Sequence, residues 1–403
     1  MSETEKPIEL AADDPTSPPK QRLLSLDSYR GLVLLLLCIE GPVWAWWSPI
    51  EEAFPESGFW STITHHAQHV TWIGCSAWDL IQPSFMFMVG VSMAYSMNKR
   101  QRVGDSWSKI LLHVLYRSLV LILLGVFLRS AHEPQTYWTF EDVLSQIGLG
   151  YTFLFLLWNR PRKIQWLAVA AILLGYYSLF ALSPIYETAG NPEGYLMAEG
   201  YLANWNLNAN PAHFADVWFL NLFPRESPFE FHSSGYNTLN FIPSLAIMIL
   251  GLIAGELLRS DRSESQKLAI LISIGLGGLV FGYLLDFAGL CPLIKKTWTP
   301  TFTLFSGGWC FIILSVLYAV IDMGKIRGWN FPLVVIGMNS IALYVMLHFF
   351  PGWFDSTLKI HIGENYCQFL GVPFSRLVTN VCAGLAMWFI CFWMYRRKIF
   401  LKI

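Results

Sequence analysis

Apolar residues in this chain gather into long runs separated by polar connectors, with no heptad pattern and no low-complexity tract. Crossing the hydrocarbon core of a bilayer takes about 20 helical residues. Runs that meet or nearly meet that length lie near 30–48, 77–97, 110–129, 142–158, 164–182, 239–258, 268–288, 301–322, 331–349 and 377–395. The pattern predicts an all-α polytopic membrane protein with about ten transmembrane helices in one bundle. The longest connector, 183–238, holds Asn, Pro and aromatic residues and few charges, and reads as a folded extracytoplasmic loop cap. Residues 1–24 are polar and proline-bearing, without the apolar centre of a cleaved signal peptide, and are expected to form a disordered cytoplasmic tail. Residues 25–403 then make up a single membrane domain, with 183–238 inserted into it.

Composition agrees with that reading. The chain is 54% hydrophobic and 16% aromatic but only 14% charged, with mean hydropathy +0.44, whereas a soluble domain carries about a quarter charged residues. A net charge of −1 identifies no partner, and nothing in the sequence points to nucleic acid, a metal or a phosphate-cradling loop. The seven cysteines are scattered, mostly inside apolar runs, and read as small core residues rather than a disulfide or zinc framework. Lys and Arg concentrate in alternate connectors, such as Lys99 to Lys109, Arg160 to Lys163, Arg259 to Lys267 and Arg396 to Lys402. By the positive-inside rule both termini are cytoplasmic, in the cell (inner) membrane, and the connector before residue 77 faces the other side.

That connector carries the candidate chemistry. From His65 to Asn98 the sequence opens polar and then turns apolar, with His69, Trp72, Gly74, Asp79 and Pro83 at its junction. Neutral imidazole can accept a proton or attack an acyl group near neutral pH; the plainer reading of His69 is an interfacial residue beside a helix end. His65 and His66 read as surface residues. Asp79 either orients His69 or merely complements the helix dipole. Backbone N–H groups of Gly74 and Ser76 are candidates for an oxyanion site. Inside the apolar runs, a charge needs a partner or a purpose. Glu40, before Gly41-Pro42, is a candidate proton acceptor or the partner of Arg117; Arg117 either meets a donor phosphate or snorkels to lipid. Asn339 and Tyr344 either line a cavity or join helices.

In order along the chain, SLDSYRG (25–31), H-x-x-W-x-G-x-x-x-x-D-L-x-x-P-x-F-x-F-x-x-G-x-S from His69 to Ser92, DVLSQIGLGY (142–151), PLIKKTWTPTF (292–302) and GMNSIALY (337–344) resemble the heparan-α-glucosaminide N-acetyltransferase family. The resemblance covers about 24–396. It implies a multi-span acyltransferase that takes an acetyl group from cytoplasmic acetyl-CoA and delivers it to an amino sugar or glycan across the membrane, with no metal. The family's functional histidine corresponds to His69, ten residues before Asp79, as base or as acyl carrier. Lys295 and Trp298 of the K-x-x-W-T core are candidates for holding the sugar or the donor's pantetheine arm, alongside Arg117, Asn339 and Tyr344 on the donor side; Trp298 otherwise reads as an interfacial aromatic. This chain has Glu40 where the family commonly has asparagine, and Leu144-Ser145-Gln146 where Leu-Gln-Arg is usual. The connector between Glu40 and His69 is also longer than in the lysosomal members.

Because CoA is too polar to cross lipid, only its thin arm is expected to pass between the helices toward His69. The implied partners are acyl-CoA, a sugar acceptor and the bilayer, and a homodimer stays open. Two rival classes remain: a secondary transporter with Glu40 and Arg117 as its coupling site, and an assembly protein without catalysis.

Overall fold

A computed structural model of the chain describes residues 23–40, 47–188, 190, 195 and 197–401. The predicted tail thus lies outside the described residues except for its last two positions, as do Gly41-Pro42. Helices α1 (Leu24–Glu40), α2 (Ser48–Ala53) and α3 (Gly58–His66) lead to a loop and the short 3-10 turn Trp78–Leu80. Then come α4 (Ile81–Arg102), α5 (Trp107–Ser130), α6 (Val143–Leu157) and α7 (Arg162–Ala181). The long connector contains α8 (Pro211–Leu220), followed by α9 (Phe241–Arg259), α10 (Glu264–Phe287) and α11 (Pro300–Leu317). The chain ends with α12 (Phe331–Met338), α13 (Ser340–Phe349), α14 (Pro351–Ile362) and α15 (Ser375–Arg396). Among the described residues there is one isolated β-bridge, Asn206 to Ala209.

Among the described residues seven helices, α4, α5, α7, α9, α10, α11 and α15 with their flanking turns, are long and apolar enough to cross a bilayer. Of the other three runs expected to span, α1 is 17 residues and α6 is 15, and the run 331–349 is not one continuous helix. It breaks at Asn339, whose φ of −120° and ψ of 36° leave the helical region, and α12 and α13 meet at 79°. Asparagine competes poorly as a helix-interior residue because its short amide seeks backbone partners. Gly337 on the preceding turn lets α12 lie directly on α1, where an added Cβ would sit 2.0 Å from the Asp27 carbonyl oxygen.

At the centre stands α9, buried along most of its length, while α10 turns most of its surface outward. Lipid tails are as apolar as leucine, so helices in a bilayer associate through close packing rather than by escaping water. The α4–α9 contact follows that logic through glycine. A Cβ on Gly90 would lie 1.9 Å from the Met248 carbonyl oxygen, and one on Gly251 would lie 2.0 Å from that of Phe87. The segment 197–238 packs on one end of the bundle, where Trp205, Leu207 and Ala212 join Trp72, Tyr176 and Phe180 in a second buried cluster. The Trp72 indole N–H donates to the Trp205 carbonyl at 2.9 Å, fastening that segment to the loop before α4.

This contact yields a direct test. Gly251→Val inserts a branched side chain against the Phe87 backbone, and overpacking of this kind costs about 1–3 kcal/mol or more. The variant should show a clearly lowered thermal midpoint in detergent, while Gly277→Ala, where an added Cβ meets nothing within 4 Å, should leave it within a degree or two.

Candidate active site

The site is assembled from two loops and the first turn of one helix. After α3 the chain runs through residues 67–77 and reverses at Gly74, whose φ of +119° favours glycine. The Gly74 N–H donates to the Leu293 carbonyl at 2.7 Å, pinning this loop to the one before α11. The second loop is shaped by its own sequence. Thr299 caps α11 by accepting from the Phe302 N–H, with Pro300 at the first helical position, a favoured pairing of residues at a helix start. Trp298 turns with φ of +46°, its N–H donating to the Lys295 carbonyl at 2.8 Å. The result aims Lys295 at the first loop.

There His69, Asp79 and Lys295 meet. His69 Nδ1 lies 2.5 Å from Asp79 Oδ1, and Lys295 Nζ lies 3.0 Å and 3.2 Å from Nδ1 and Nε2 of the same ring. Lys295 Nζ is also 3.5 Å from Asp79 Oδ1. Asp79 and Lys295 are buried, and the His69 side chain is 12% exposed. The second carboxylate oxygen of Asp79 accepts from the Ser76 N–H at 2.9 Å and lies 3.0 Å from Ser76 Oγ. With Nδ1–H committed to the carboxylate, Nε2 is left as the ring's basic atom. Burial, then the adjacent Lys295 charge, pull the His69 imidazole down to about 4, against the opposing pull of Asp79. Burial likewise lowers the Lys295 ammonium, with Asp79 opposing. The Tyr236 ring stands edge-on to His69, with centroids 6.4 Å apart, and carries Lys295 Nζ at 5.7 Å.

His69 is the member of this trio that lines a cavity of about 860 Å³. Its walls come from α2, α3, the loop 68–73, residues around 195–206 and the loop before α11; they include Glu51, Thr64, Trp72, Tyr195 and Trp205. Nothing in the sequence singled out Glu51, Tyr195 or Tyr236. They sit in connectors without a motif, and only the fold brings Glu51 and Tyr195 to the cavity wall and Tyr236 against the His69 ring.

The other predicted residues are placed as follows. His65 and His66 are exposed. The N–H groups of Gly74 and Ser76 are not free for an oxyanion, because Leu293 and Asp79 occupy them. Glu40 ends α1, and its side chain is outside the described residues. Arg117 donates to the Tyr151 hydroxyl at 3.1 Å, and its guanidinium lies 4.8 Å from that ring's centroid. Trp298 is fully buried, edge-on to Phe302, with no partner for its indole nitrogen, and does not line the cavity. Asn339 is fully buried at the α12–α13 break, and neither atom of its amide has a partner. Tyr344 donates to Asp142 at 3.1 Å; Arg129, 3.4 Å from Asp142, and His232, 2.8 Å from Glu141, complete a second polar cluster.

No protein-family model matches the chain. Two curated proteins do. Heparan-alpha-glucosaminide N-acetyltransferase of Homo sapiens is 25% identical over 431 aligned residues, covering 96% of this chain, and that of Mus musculus is 24% identical over 426, covering 95%. This chain is their distant relative. It spans 60% of the length of each. Two of the five stretches that resemble heparan-α-glucosaminide N-acetyltransferase supply the site: 69–92 gives His69 and Asp79, and 292–302 gives Lys295. Gln146, in the departing Leu144-Ser145-Gln146 stretch, is buried and donates to the carbonyls of Phe140 and Thr238.

The lowered imidazole makes a prediction. Between about 6.5 and about 4 the unfolded chain takes up a proton at residue 69 that the folded protein refuses, so this residue's contribution to stability falls as pH drops through that window. Thermal midpoints measured from pH 7 to 4 should therefore fall more steeply for the natural protein than for His69→Gln; parallel slopes would show that the imidazole is not held neutral.

Proposed function

We propose that this integral membrane protein is a transmembrane acetyltransferase that moves an acetyl group from cytoplasmic acetyl-CoA to an amino sugar on the opposite face. Its termini would be cytoplasmic and the His69 cavity extracytoplasmic. One observation carries the reading: an imidazole held by a buried carboxylate, beside a buried ammonium, opens onto a cavity of about 860 Å³. The relationship to two N-acetyltransferases supports it.

In this reading Asp79 fixes the tautomer, so that Nε2 of His69 is the reactive atom. Acting as base, Nε2 takes one proton from the sugar ammonium; the freed amine attacks the thioester carbonyl, the C–N bond forms, the C–S bond breaks, the departing thiolate receives that proton, and the second proton that the nitrogen loses on becoming an amide passes through Nε2 to solvent. Acting as carrier, Nε2 itself attacks, CoA leaves, and the amine then takes the acetyl group from the ring. Both routes produce one amide and one thiol per thioester and ammonium, and release one proton. Lys295 would place positive charge beside the oxygen that becomes negative at the tetrahedral stage. The unpaired amide of Asn339 suits the amide groups of a pantetheine arm, and Arg117 suits a donor phosphate.

Incubating the purified protein with labelled acetyl-CoA and amino sugars should give labelled N-acetyl sugar with one free thiol per product. His69→Ala should lower turnover about 10²–10⁴-fold with little change in expression. Undiminished turnover in that variant would remove His69 from the chemistry, and the absence of transfer to any amine would remove the enzyme reading. Lys295→Met should lower kcat more than it raises KM, since a charge serving the tetrahedral stage matters little to ground-state binding.

A further inference from the structure

A third stretch of chain, 232–240, reaches the trio of His69, Asp79 and Lys295, and it is tied down more firmly than a simple connector into α9 requires. The Thr238 N–H donates to Asp216 of α8 at 2.8 Å, and its carbonyl accepts from Gln146 of α6 at 3.1 Å. Asn240 donates to the Lys296 carbonyl at 2.8 Å, which joins this stretch to the loop carrying Lys295. At its start the chain folds around an imidazole. His232 Nδ1 accepts from the Ser234 N–H at 3.0 Å and from the Tyr236 N–H at 3.4 Å. With Nδ1 accepting, Nε2 carries the ring's proton and donates to Glu141 at 2.8 Å. Glu141 thus anchors the imidazole, and the imidazole fixes the turn.

The turn delivers the Tyr236 ring to the site. That ring meets His232 edge-on at 5.7 Å and His69 edge-on at 6.4 Å, centroid to centroid, and Lys295 Nζ stands over it at 5.7 Å. An ammonium over an aromatic face is attracted by the ring quadrupole, and more strongly where water is excluded, as it is at the buried Lys295. The attraction matters here. Burial works against the Lys295 charge, and its carboxylate partner, Asp79 at 3.5 Å, is shared with His69. Burial, then the Asp79 and Glu141 carboxylates, push the Tyr236 phenol well above its ordinary range, so what it offers is a neutral ring.

We infer that Tyr236 is a positioning residue of the acetyl-transfer site: its ring holds the Lys295 ammonium charged against His69, and the Glu141–His232 pair holds the ring in place. The inference rests on the acetyltransferase reading and deepens it by adding a third loop to the machinery. Tyr236 acts through Lys295, and His232 acts through Tyr236.

Purified full-length variants are compared with labelled acetyl-CoA and an amino sugar that the natural protein acetylates. Tyr236→Leu should lower kcat about tenfold or more with KM changed little, because the charge it supports serves the tetrahedral stage; Tyr236→Met serves if the leucine variant does not fold. Tyr236→Phe, which keeps the ring, should restore most of the loss. In a Lys295→Met background Tyr236→Leu should cost nothing further. His232→Ala should follow Tyr236→Leu, whereas His232→Asn, whose side-chain oxygen accepts from the N–H two residues on, should recover most of kcat. Thermal midpoints in detergent give a second readout that needs no transfer: Tyr236→Leu should lower the midpoint less in the Lys295→Met background than in the natural protein. That difference, with no acetyl transfer by any form, upholds the contact and removes the acetyltransferase reading. A phenylalanine variant as slow as the leucine one, an undiminished cost of Tyr236→Leu in the Lys295→Met background in either readout, or His232→Asn as slow as Tyr236→Leu overturns the inference.

Discussion

An imidazole, a carboxylate and an ammonium are removed from water together at the start of α4, and none of the three could be left there alone. Burying an isolated charge costs several kcal/mol even after relaxation; Asp79 and Lys295 limit that cost by lying 3.5 Å apart with the His69 ring against both. Two loops from distant parts of the chain must therefore be held in register to within a hydrogen bond. The Gly74-to-Leu293 bond, the Thr299 cap and the Lys296 bond to Thr71 all serve that register. The tie from Trp72 to Trp205 then lays the long connector along the same loop, so the cavity wall and the reactive ring share one support.

Much of the bundle was legible in the sequence because the bilayer imposes a simple length rule. Each of the ten apolar runs overlaps a helix or the bent pair, although among the described residues seven helices reach spanning length by themselves. The broken run was not legible: average hydropathy over 331–349 is insensitive to one residue leaving the helix at Asn339. Within the site, the pairing of His69 with Asp79 could be suspected because both lie in one short stretch. The contact of Lys295 with that ring joins residues 226 positions apart and depends on a tight turn at Trp298, which no local pattern specifies. Trp298 illustrates the converse. Its place in the K-x-x-W-T core suggests a ring that holds the sugar or the pantetheine arm, or an interfacial aromatic, yet it lies at a left-handed turn and is buried in the core.

Two ways of holding helices together operate in one molecule. The α4–α9 seam relies on absent side chains, with Gly90 and Gly251 letting backbones touch. The opposite approach appears around Asp142, where Arg129 and Tyr344 tie α5, α6 and α13 through polar contacts. The first kind tolerates no added atom, and the second tolerates no lost partner.

The bend at Asn339 has a consequence for how the chain enters its membrane. At about 1.5 Å per residue, α12 and α13 reach only roughly 12 Å and 15 Å, each well short of the ~30 Å hydrocarbon layer. Neither half can be threaded into lipid as a free-standing segment. They must be received by helices already in place, above all α1, against which Gly337 lies backbone to backbone. The depth of this region in the bilayer is thus set by the bundle that receives it rather than by its own hydropathy.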